Sequence, residues 1–139
     1  MKIRGYDKWG AGHYGAPRNG GRRKHRGCDY VNHVNEAITA IEAGTVSKIG
    51  RPYSPKSAKK RHFRYIEISY APNIRHRYFY VESLVQVGDI VEKGQVIGWA
   101  QDLDAVYPGI VQHFHFEIIK NGRRIDPCGY LKNYSEATK

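Results

Sequence analysis

The sequence predicts a mostly β domain, and three observations favour this fold class. Aromatic residues make up 12% of the chain and 11 of them are tyrosines, a composition that is typical of strands. The 15 glycines and 6 prolines interrupt the chain at short intervals, which disfavours long helices. Several short segments alternate apolar and polar side chains, as half-buried strands do. With 40% hydrophobic residues in 139, we expect one domain with one core.

The first elements follow from the turn signals that separate them. Residues 1–24 are rich in Gly, Arg and Tyr without a period, and we expect an irregular arm packed on the domain. A strand is expected in "RGCDYV", residues 26–31, and another in "AGTVSKIG", residues 43–50, after a glycine turn. The intervening stretch "NHVNEAITAIEAG" is compatible with a helical turn.

The later segments are predicted to be short strands that turns connect, with two hairpins among them. "RHFRYIEISY", residues 61–70, can pair with "RHRYFYVESL", residues 75–84, across an "APN" turn. "VGDIVEKGQVIGWAQ" places two glycine turns beside short Val/Ile strands, and "HFHFEIIKNGRRID" predicts a strand, a tight Asn-Gly turn and a return strand. The domain is therefore expected to occupy residues 25–139.

The charge indicates an anionic partner. Lys and Arg outnumber Asp and Glu by 23 to 13, for a formal charge of +10. Nucleic acid, an anionic bacterial wall or a membrane surface would each fit this charge. The basic clusters at residues 22–26 and 56–62 lack an accompanying nucleic-acid fold signature. No segment is apolar over the length of a signal peptide or a membrane span, so we expect neither.

Cysteine and histidine positions give further expectations. Only Cys28 and Cys128 could pair, and a domain of this size with two cysteines does not resemble a secreted disulfide scaffold. We therefore expect free thiols, with Cys28 packed in the core. Four histidines are expected in loops or at exposed strand positions: His13, His33, His62 and His76.

Two histidines stand one residue apart in "QHFHFEII", residues 112–119. On a strand, His113, His115 and Glu117 share one face, while the phenylalanines between them share the other. Two imidazoles on one face either look out into water or line a groove in which they bind a metal or move a proton. The strand alone leaves both interpretations open.

A second motif lies far upstream, in "KHRGCDYV", where His25 and Asp29 are four residues apart across a glycine. A histidine, a carboxylate and a second histidine make a three-ligand site that leaves zinc a fourth position for water, as a hydrolytic metal requires. Each motif is common by itself. Together they predict a zinc site.

From about residue 12 to residue 131 the chain resembles the lysostaphin/LytM-type zinc metallopeptidases, which cut peptide bonds in bacterial peptidoglycan. The matching segments, in the same order and spacing, are "GHYGAPRNGGRRKHRGCDYV", "AGTV", "YFYVESLVQVGDIVEKGQVIGWAQ", "YPGIVQHFHFEI" and "DPCGYL". The resemblance implies a lysostaphin-type fold, a twisted, mainly antiparallel β-sheet with a loop-walled groove that holds one zinc ion. The segments "GAPR…GGRRKH" and "GWAQDL" are most similar to those of short phage-encoded lytic peptidases.

Carried over residue by residue, the resemblance implies that His25, Asp29 and His115 bind zinc and that His113 activates water. Enzymes of the family usually have a second catalytic histidine in a Tyr-x-His motif, and Glu82 occupies that position here. Either Glu82 acts as a general base or orients water, as a glutamate does in other zinc peptidases, or it is a surface residue.

Two further residues are assigned to substrate binding. Tyr107 precedes the His-x-His strand and is expected to line the groove, with ordinary aromatic packing as the alternative. Arg18 is expected to bind a substrate carboxylate, and the alternative is that it braces the arm near the zinc site.

The expected function is a zinc metalloendopeptidase that hydrolyses peptide cross-links of peptidoglycan. We expect a monomeric phage endolysin or virion-associated lysin that reaches the wall from the host cytoplasm or with the virion, does not bind nucleic acid, and cuts D-alanine–meso-diaminopimelate rather than Gly-Gly bonds. The alternative is a catalytically inactive zinc-binding module of the same fold, which binds peptidoglycan or a protein. "YPGI" followed by His-x-His is also similar to leukocyte cell-derived chemotaxin, a signalling relative that lacks the second catalytic histidine.

Overall fold

The computed structural model describes residues 3–5, 7–18, 21 and 23–131. Both the predicted arm and the end of the predicted domain fall partly outside these ranges. Within them the chain forms short strands and one short helix. The strands are β1 (Pro17–Arg18), β2 (Arg23–Lys24), β3 (Cys28–Val31), β4 (Ala37–Thr39), β5 (Gly44–Gly50), β6 (Tyr65–Tyr70), β7 (Ile74–Phe79), β8 (Val81–Ser83), β9 (Ile90–Val91), β10 (Val96–Ala100), β11 (His113–Lys120) and β12 (Arg123–Ile125), and the helix is α1 (Cys128–Leu131).

An antiparallel sheet dominates the fold. Its strand order is β12-β11-β7-β6-β5-β9, and β3 pairs with β11 beside this path. A smaller antiparallel sheet has the order β4-β10-β8, and β1 pairs with β2. The mostly β class predicted from composition and alternation is therefore confirmed. None of the described residues forms a helix with the length and apolarity that crossing a membrane requires.

Strand β11 separates the core from the face that carries the predicted site. Phe114, Phe116 and Ile118 are at most 1% exposed and pack into the core. His113 and His115 alternate with them and face the other side of the sheet. Burying a Phe or Ile side chain contributes roughly 1.5–3 kcal/mol, so a one-residue shift in register would be strongly unfavourable. The alternation of β11 thus fixes which side chains face the groove.

Two hairpins that the sequence predicts are present. Strands β6 and β7 pair across the "APN" turn, and β11 and β12 pair across Asn121-Gly122, where both residues have positive φ (52° and 76°) as a tight hairpin turn requires. The stretch predicted to be compatible with a helical turn instead contains β4. Ile38 in this strand is buried and the strand pairs with β10, so tertiary packing decides its conformation.

The two cysteines form a disulfide, so the expectation of free thiols is wrong. Cys28 lies on β3 and Cys128 begins α1, and the fold brings their Cα atoms within 5.5 Å. They are 100 residues apart in sequence. A pair of this separation is set by the tertiary structure and leaves no local pattern in the sequence.

His76 is buried, so the expectation of an exposed position is also wrong. It lies on β7 with 0% exposure and contacts the rings of Tyr70, Phe116 and Tyr130. Among the described residues, neither of its ring nitrogens has a hydrogen-bond partner. Because burial disfavours the charged imidazolium, it lowers the pKa of His76 to about 4.

We expect His76 to make the protein less stable as the pH falls from about 6.5 to about 4. In this window the unfolded chain binds a proton that the folded chain does not, so the free energy of unfolding decreases as the pH decreases, by about 3 kcal/mol in all. Urea denaturation across this pH range measures the slope. The His76→Phe variant keeps an aromatic ring in the pocket and should have a flatter slope. Equal slopes in both proteins would contradict the prediction.

Candidate metal centre

The predicted metal ligands meet where β3 pairs with β11. Asp29 and His115 are direct partners across this antiparallel ladder, so their side chains lie side by side on one face. His25 precedes β3 and reaches the same point across Gly27. A Cβ added at Gly27 would lie 2.7 Å from Cε1 of His115 and closer still to the Phe116 carbonyl oxygen. The glycine between the two upstream ligands is therefore required by the close approach of β11.

Three donor atoms converge at this point. Nε2 of His25 lies 2.9 Å from Nδ1 of His115 and 3.3 Å from Oδ1 of Asp29. Nδ1 of His115 lies 2.8 Å from the same Oδ1. Ligand atoms bound tetrahedrally to zinc at about 2.0–2.1 Å are separated from one another by about 3.3 Å. The spacing of the three atoms is close to that of a zinc donor set.

The outer nitrogens of both imidazoles have acceptors of their own. Nδ1 of His25 lies 3.0 Å from the His13 carbonyl oxygen, and Nε2 of His115 lies 2.8 Å from Oε2 of Glu117. When these nitrogens donate, Nε2 of His25 and Nδ1 of His115 turn their lone pairs toward each other and toward the Asp29 carboxylate. Such a group of electron pairs repels itself unless a cation lies among them. The donor set therefore fits zinc.

The site favours positive charge. Burial alone would raise the pKa of Asp29, but the proximity of His113 and hydrogen bonds from His115 and His25 hold this pKa well below its usual range. Burial likewise opposes an imidazolium at His115, but hydrogen bonds to Asp29 and Glu117 raise the pKa of His115 to about 9. The two carboxylates thus stabilise a positive charge at this point, whether a proton or a metal ion carries it.

Arg4, which sequence reasoning missed, holds the other oxygen of Asp29. The residue is 3% exposed, and its Nε donates to Oδ2 of Asp29 at 2.9 Å. Its Nη1 donates to Oδ2 of Asp7 and to the Gly10 carbonyl, at 2.9 and 2.7 Å. The arm therefore supplies a buried cation that orients a predicted metal ligand. In the sequence, this arginine lies in a segment without periodicity and carries no signal.

His113 stands beside the three ligands without duplicating their role. Nδ1 donates to the Val111 carbonyl at 2.7 Å, and Nε2 lies 3.4 Å from Oδ2 of Asp29. Burial outweighs the attraction of Asp29 and lowers the pKa of His113, so the ring is neutral near pH 7. A neutral imidazole that is held in this tautomer presents the lone pair of Nε2 to the site and can accept a proton.

Glu82 is not brought to the cluster. Strand β7 ends at Phe79, and Tyr80 turns the chain into β8, where Glu82 pairs with Trp99 in the smaller sheet. The side chain of Glu82 is exposed and is not among the described residues that line the groove. Of the two interpretations of Glu82, the structure therefore favours a surface residue. The sequence predicts one strand over residues 75–84, but the positive φ of Tyr80 divides it into β7 and β8.

The three candidate metal ligands lie in a groove with a cavity volume of about 570 Å³. Trp9 and Arg18 of the arm line it, together with Tyr53 and Lys60 from the segment between β5 and β6. Tyr107 also lines the groove and packs its ring edge-on against Trp9, with the ring centroids 5.2 Å apart. Both predicted substrate-binding residues, Tyr107 and Arg18, are therefore placed in the groove wall.

We expect Glu117→Gln to weaken zinc binding about 10- to 100-fold, because the outer carboxylate that orients the His115 ring loses its charge. The change keeps the shape of the side chain, whose Oε1 also accepts a hydrogen bond from Arg124 at 2.9 Å. Competition with a chromogenic chelator measures the affinity. Glu67→Gln is the matched control. Glu67 is also a buried glutamate, lies on the same face of the sheet as Glu117, and pairs with Arg77. An equal loss in both variants would contradict this role.

Sequence comparisons identify a protein family and individual proteins to which this chain is similar. The model of peptidase family M23 matches residues 23–127. Myeloid protein 1 of Gallus gallus is 32% identical over 136 residues, which cover 94% of this chain and 38% of that protein. Leukocyte cell-derived chemotaxin-2 of Mus musculus is 31% identical over 130 residues, which cover 94% of this chain and 80% of that protein. The chain thus spans well under half the length of the Gallus gallus relative.

Comparison with solved structures identifies proteins whose fold is similar to that of this chain. The catalytic domain of the antimicrobial peptidase lysostaphin from Staphylococcus simulans matches with a TM-score of 0.64 and 26% identity, covering 88% of this chain and 91% of that chain. LytU matches with a TM-score of 0.70 and 18% identity, covering 95% and 92%. The predicted lysostaphin-type fold is therefore confirmed. Since the matched region also contains His25, Asp29 and His115, we conclude that this chain belongs to peptidase family M23.

Proposed function

We propose that the protein is a zinc-dependent endopeptidase that hydrolyses peptide cross-links of bacterial peptidoglycan. The observation that carries the proposal is the convergence of donor atoms from His25, Asp29 and His115 beside His113, whose Nε2 faces the same space. Membership of peptidase family M23 supports a peptidase. The similarity to the antimicrobial peptidase lysostaphin supports the bacterial wall as the target.

In this proposal the chain divides the work among four groups. His25, Asp29 and His115 would hold zinc, which when bound supplies a Lewis acid that polarises a carbonyl and lowers the pKa of water. Nε2 of His113, fixed by the Val111 carbonyl, accepts a proton from the attacking water and returns it to the leaving amine. The His25 and His113 rings are buried against solvent, so their positions are set before substrate arrives.

The charge of the groove supports a substrate that carries carboxylates. Arg18, Arg23 and Lys60 line it. The two carboxylates there, Asp29 and Glu117, pair at 2.9 Å with Arg4 and Arg124. Of the three cations, Arg18 also lies 4.0 Å from Asp29, so Asp29 is shared between two arginines and does not neutralise both. Cross-links between D-alanine and meso-diaminopimelate carry free carboxylates, and Gly-Gly bridges do not. We therefore propose the former as substrate, with Arg18 binding a carboxylate and Tyr107 contacting the peptide.

We also propose that the protein is a phage lysin that acts on the cell wall of its bacterial host. Action outside the cytoplasm is supported by the disulfide between Cys28 and Cys128, because such bonds persist in oxidising compartments. The net charge of +10 would hold the protein to an anionic wall.

A second candidate is a zinc-binding module without catalytic activity. Two observations favour it: Glu82 lies outside the groove, so the position of the usual second histidine contributes nothing there, and one relative is named as a chemotaxin. In such a module, His113→Ala would leave the affinity for its partner largely intact.

Mass spectrometry of fragments released from purified sacculi tests the proposal. The protein is incubated with meso-diaminopimelate-type sacculi or with pentaglycine-bridged walls, each with zinc and after chelation. We expect zinc-dependent release of uncrosslinked peptides from the first. Release only from the second would refute the substrate proposed here, and no release from either by zinc-loaded protein would refute the peptidase.

A further inference from the structure

Tyr80 has an unusual backbone conformation at the edge of the groove. Its φ of 72° lies in the left-handed region, which side chains other than glycine avoid. The surrounding backbone holds it there: the Tyr80 N–H donates to the Arg64 carbonyl at 2.8 Å, and the Gln101 N–H donates to the Tyr80 carbonyl at 2.9 Å. Strained residues of this kind cluster at functional sites, where the strain positions a side chain.

The strained turn directs the Tyr80 side chain into the groove. Tyr80 lines the groove with His113 and Asp29, and its ring packs edge-on against the His113 ring, with the centroids 5.9 Å apart. Two residues later, Glu82 faces solvent. At the end of β7, therefore, a phenol and not a carboxylate lies beside the metal centre.

The Tyr80 hydroxyl belongs to a chain of three tyrosine hydroxyls. Tyr107 donates to the Tyr53 oxygen at 2.8 Å, and the Tyr53 and Tyr80 oxygens are 3.0 Å apart. Either oxygen of the Tyr53–Tyr80 pair can donate, and when Tyr53 donates, the Tyr80 proton is available to the groove. Burial raises the pKa of Tyr80 well above its usual value, so this hydroxyl stays protonated. Hydrogen bonds arranged in series also strengthen one another.

We propose that Tyr80 is a catalytic residue whose hydroxyl donates a hydrogen bond to the scissile carbonyl oxygen as this oxygen becomes an oxyanion. The water oxygen forms a bond to the carbonyl carbon, the π electron pair moves to the carbonyl oxygen, and Tyr80 stabilises this charge while keeping its own proton. The proton of the water passes to His113 and then to the amine nitrogen as the C–N bond breaks. The inference rests on the proposed function, and it supplies the donor that Glu82 does not.

Tyr80→Phe removes the hydroxyl and keeps the ring. We expect kcat for peptide release to fall about 100-fold, as it does when one oxyanion donor is lost, with little change in KM, zinc content or thermal midpoint. Tyr53→Phe should have a smaller effect, because it removes only the group that orients the Tyr80 hydroxyl. Tyr70→Phe is the matched control, since Tyr70 contacts His76 and is not among the described groove residues; it should keep wild-type turnover.

A binding measurement separates this inference from the proposed function. Dimethylphosphinate is a small tetrahedral anion that resembles the oxyanion, and its affinity for the zinc-loaded protein can be measured by calorimetry. We expect Tyr80→Phe to weaken its binding about tenfold, the loss of one hydrogen bond to a charged group. If the wild type releases peptides and Tyr80→Phe does so equally fast, Tyr80 is not the donor and the peptidase stands. If the wild type releases no peptides, the proposed peptidase activity is refuted. In that case, equal dimethylphosphinate affinities of the wild type and Tyr80→Phe would refute the donor role of Tyr80 as well.

Discussion

Replacing His113 with alanine is expected to lower kcat for peptide release from sacculi about 10³-fold while zinc remains bound. General acid–base groups contribute about 10²–10⁴-fold to a rate, and His113 is a buried, neutral imidazole that is fixed by Val111 and faces the three ligands. Its Nε2 contacts Asp29 at 3.4 Å and is not one of the three converging donor atoms. Turnover and metal content, measured on the same preparation, check the prediction.

Three variants define what this result means. His115→Ala removes a donor atom and should lose both zinc and turnover. His33→Ala and Glu82→Gln alter exposed residues that are not among the described groove residues, and both should behave as the wild type does. If His113→Ala loses as much zinc as His115→Ala does, then His113 is a metal ligand. If His113→Ala keeps its turnover, His113 does not take part in the mechanism.

The parts of the site that were predicted from sequence are those set by local geometry. A period of two places His113 and His115 on one face of any strand, and β11 confirms this. Likewise, Asn121-Gly122 determines a tight turn through the conformations that these two residues tolerate. The resemblance then connected this strand with His25 and Asp29, which a pattern within either segment does not do.

The parts that escaped prediction depend on distant residues. Arg4 reaches Asp29 from 25 residues away, and Tyr80 adopts a positive φ that its residue type does not suggest. Glu82 was placed at the site by its position in a motif, but the turn at Tyr80 moves it to the smaller sheet. His76 shares a face of β7 with the buried Tyr78, but its polar ring suggests an exposed position, and the packing of Phe116 and Tyr130 against it completes its burial.

Removing the disulfide with Cys28→Ala/Cys128→Ala is expected to lower the free energy of unfolding by about 4 kcal/mol. A cross-link restricts the unfolded chain in proportion to the logarithm of the loop that it closes, and here the loop spans 100 residues. Alanine is suited to Cys28, which is fully buried in the core. Urea denaturation with a zinc chelator present measures the loss, because bound zinc would add its own stabilisation to both proteins.

The same double variant tests whether the disulfide stabilises the fold or shapes the metal site. Cys28 directly precedes Asp29, but the two side chains point to opposite faces of β3, and the ladder between β3 and β11 holds Asp29 against His115 independently of the disulfide. We therefore expect the variant to bind one zinc ion with nearly wild-type affinity at temperatures where it is folded. Reduction of the wild type should reproduce the loss of stability. Equal urea midpoints for the oxidised and reduced protein would contradict the stabilising role, and loss of zinc from the folded variant would instead show that the disulfide positions Asp29.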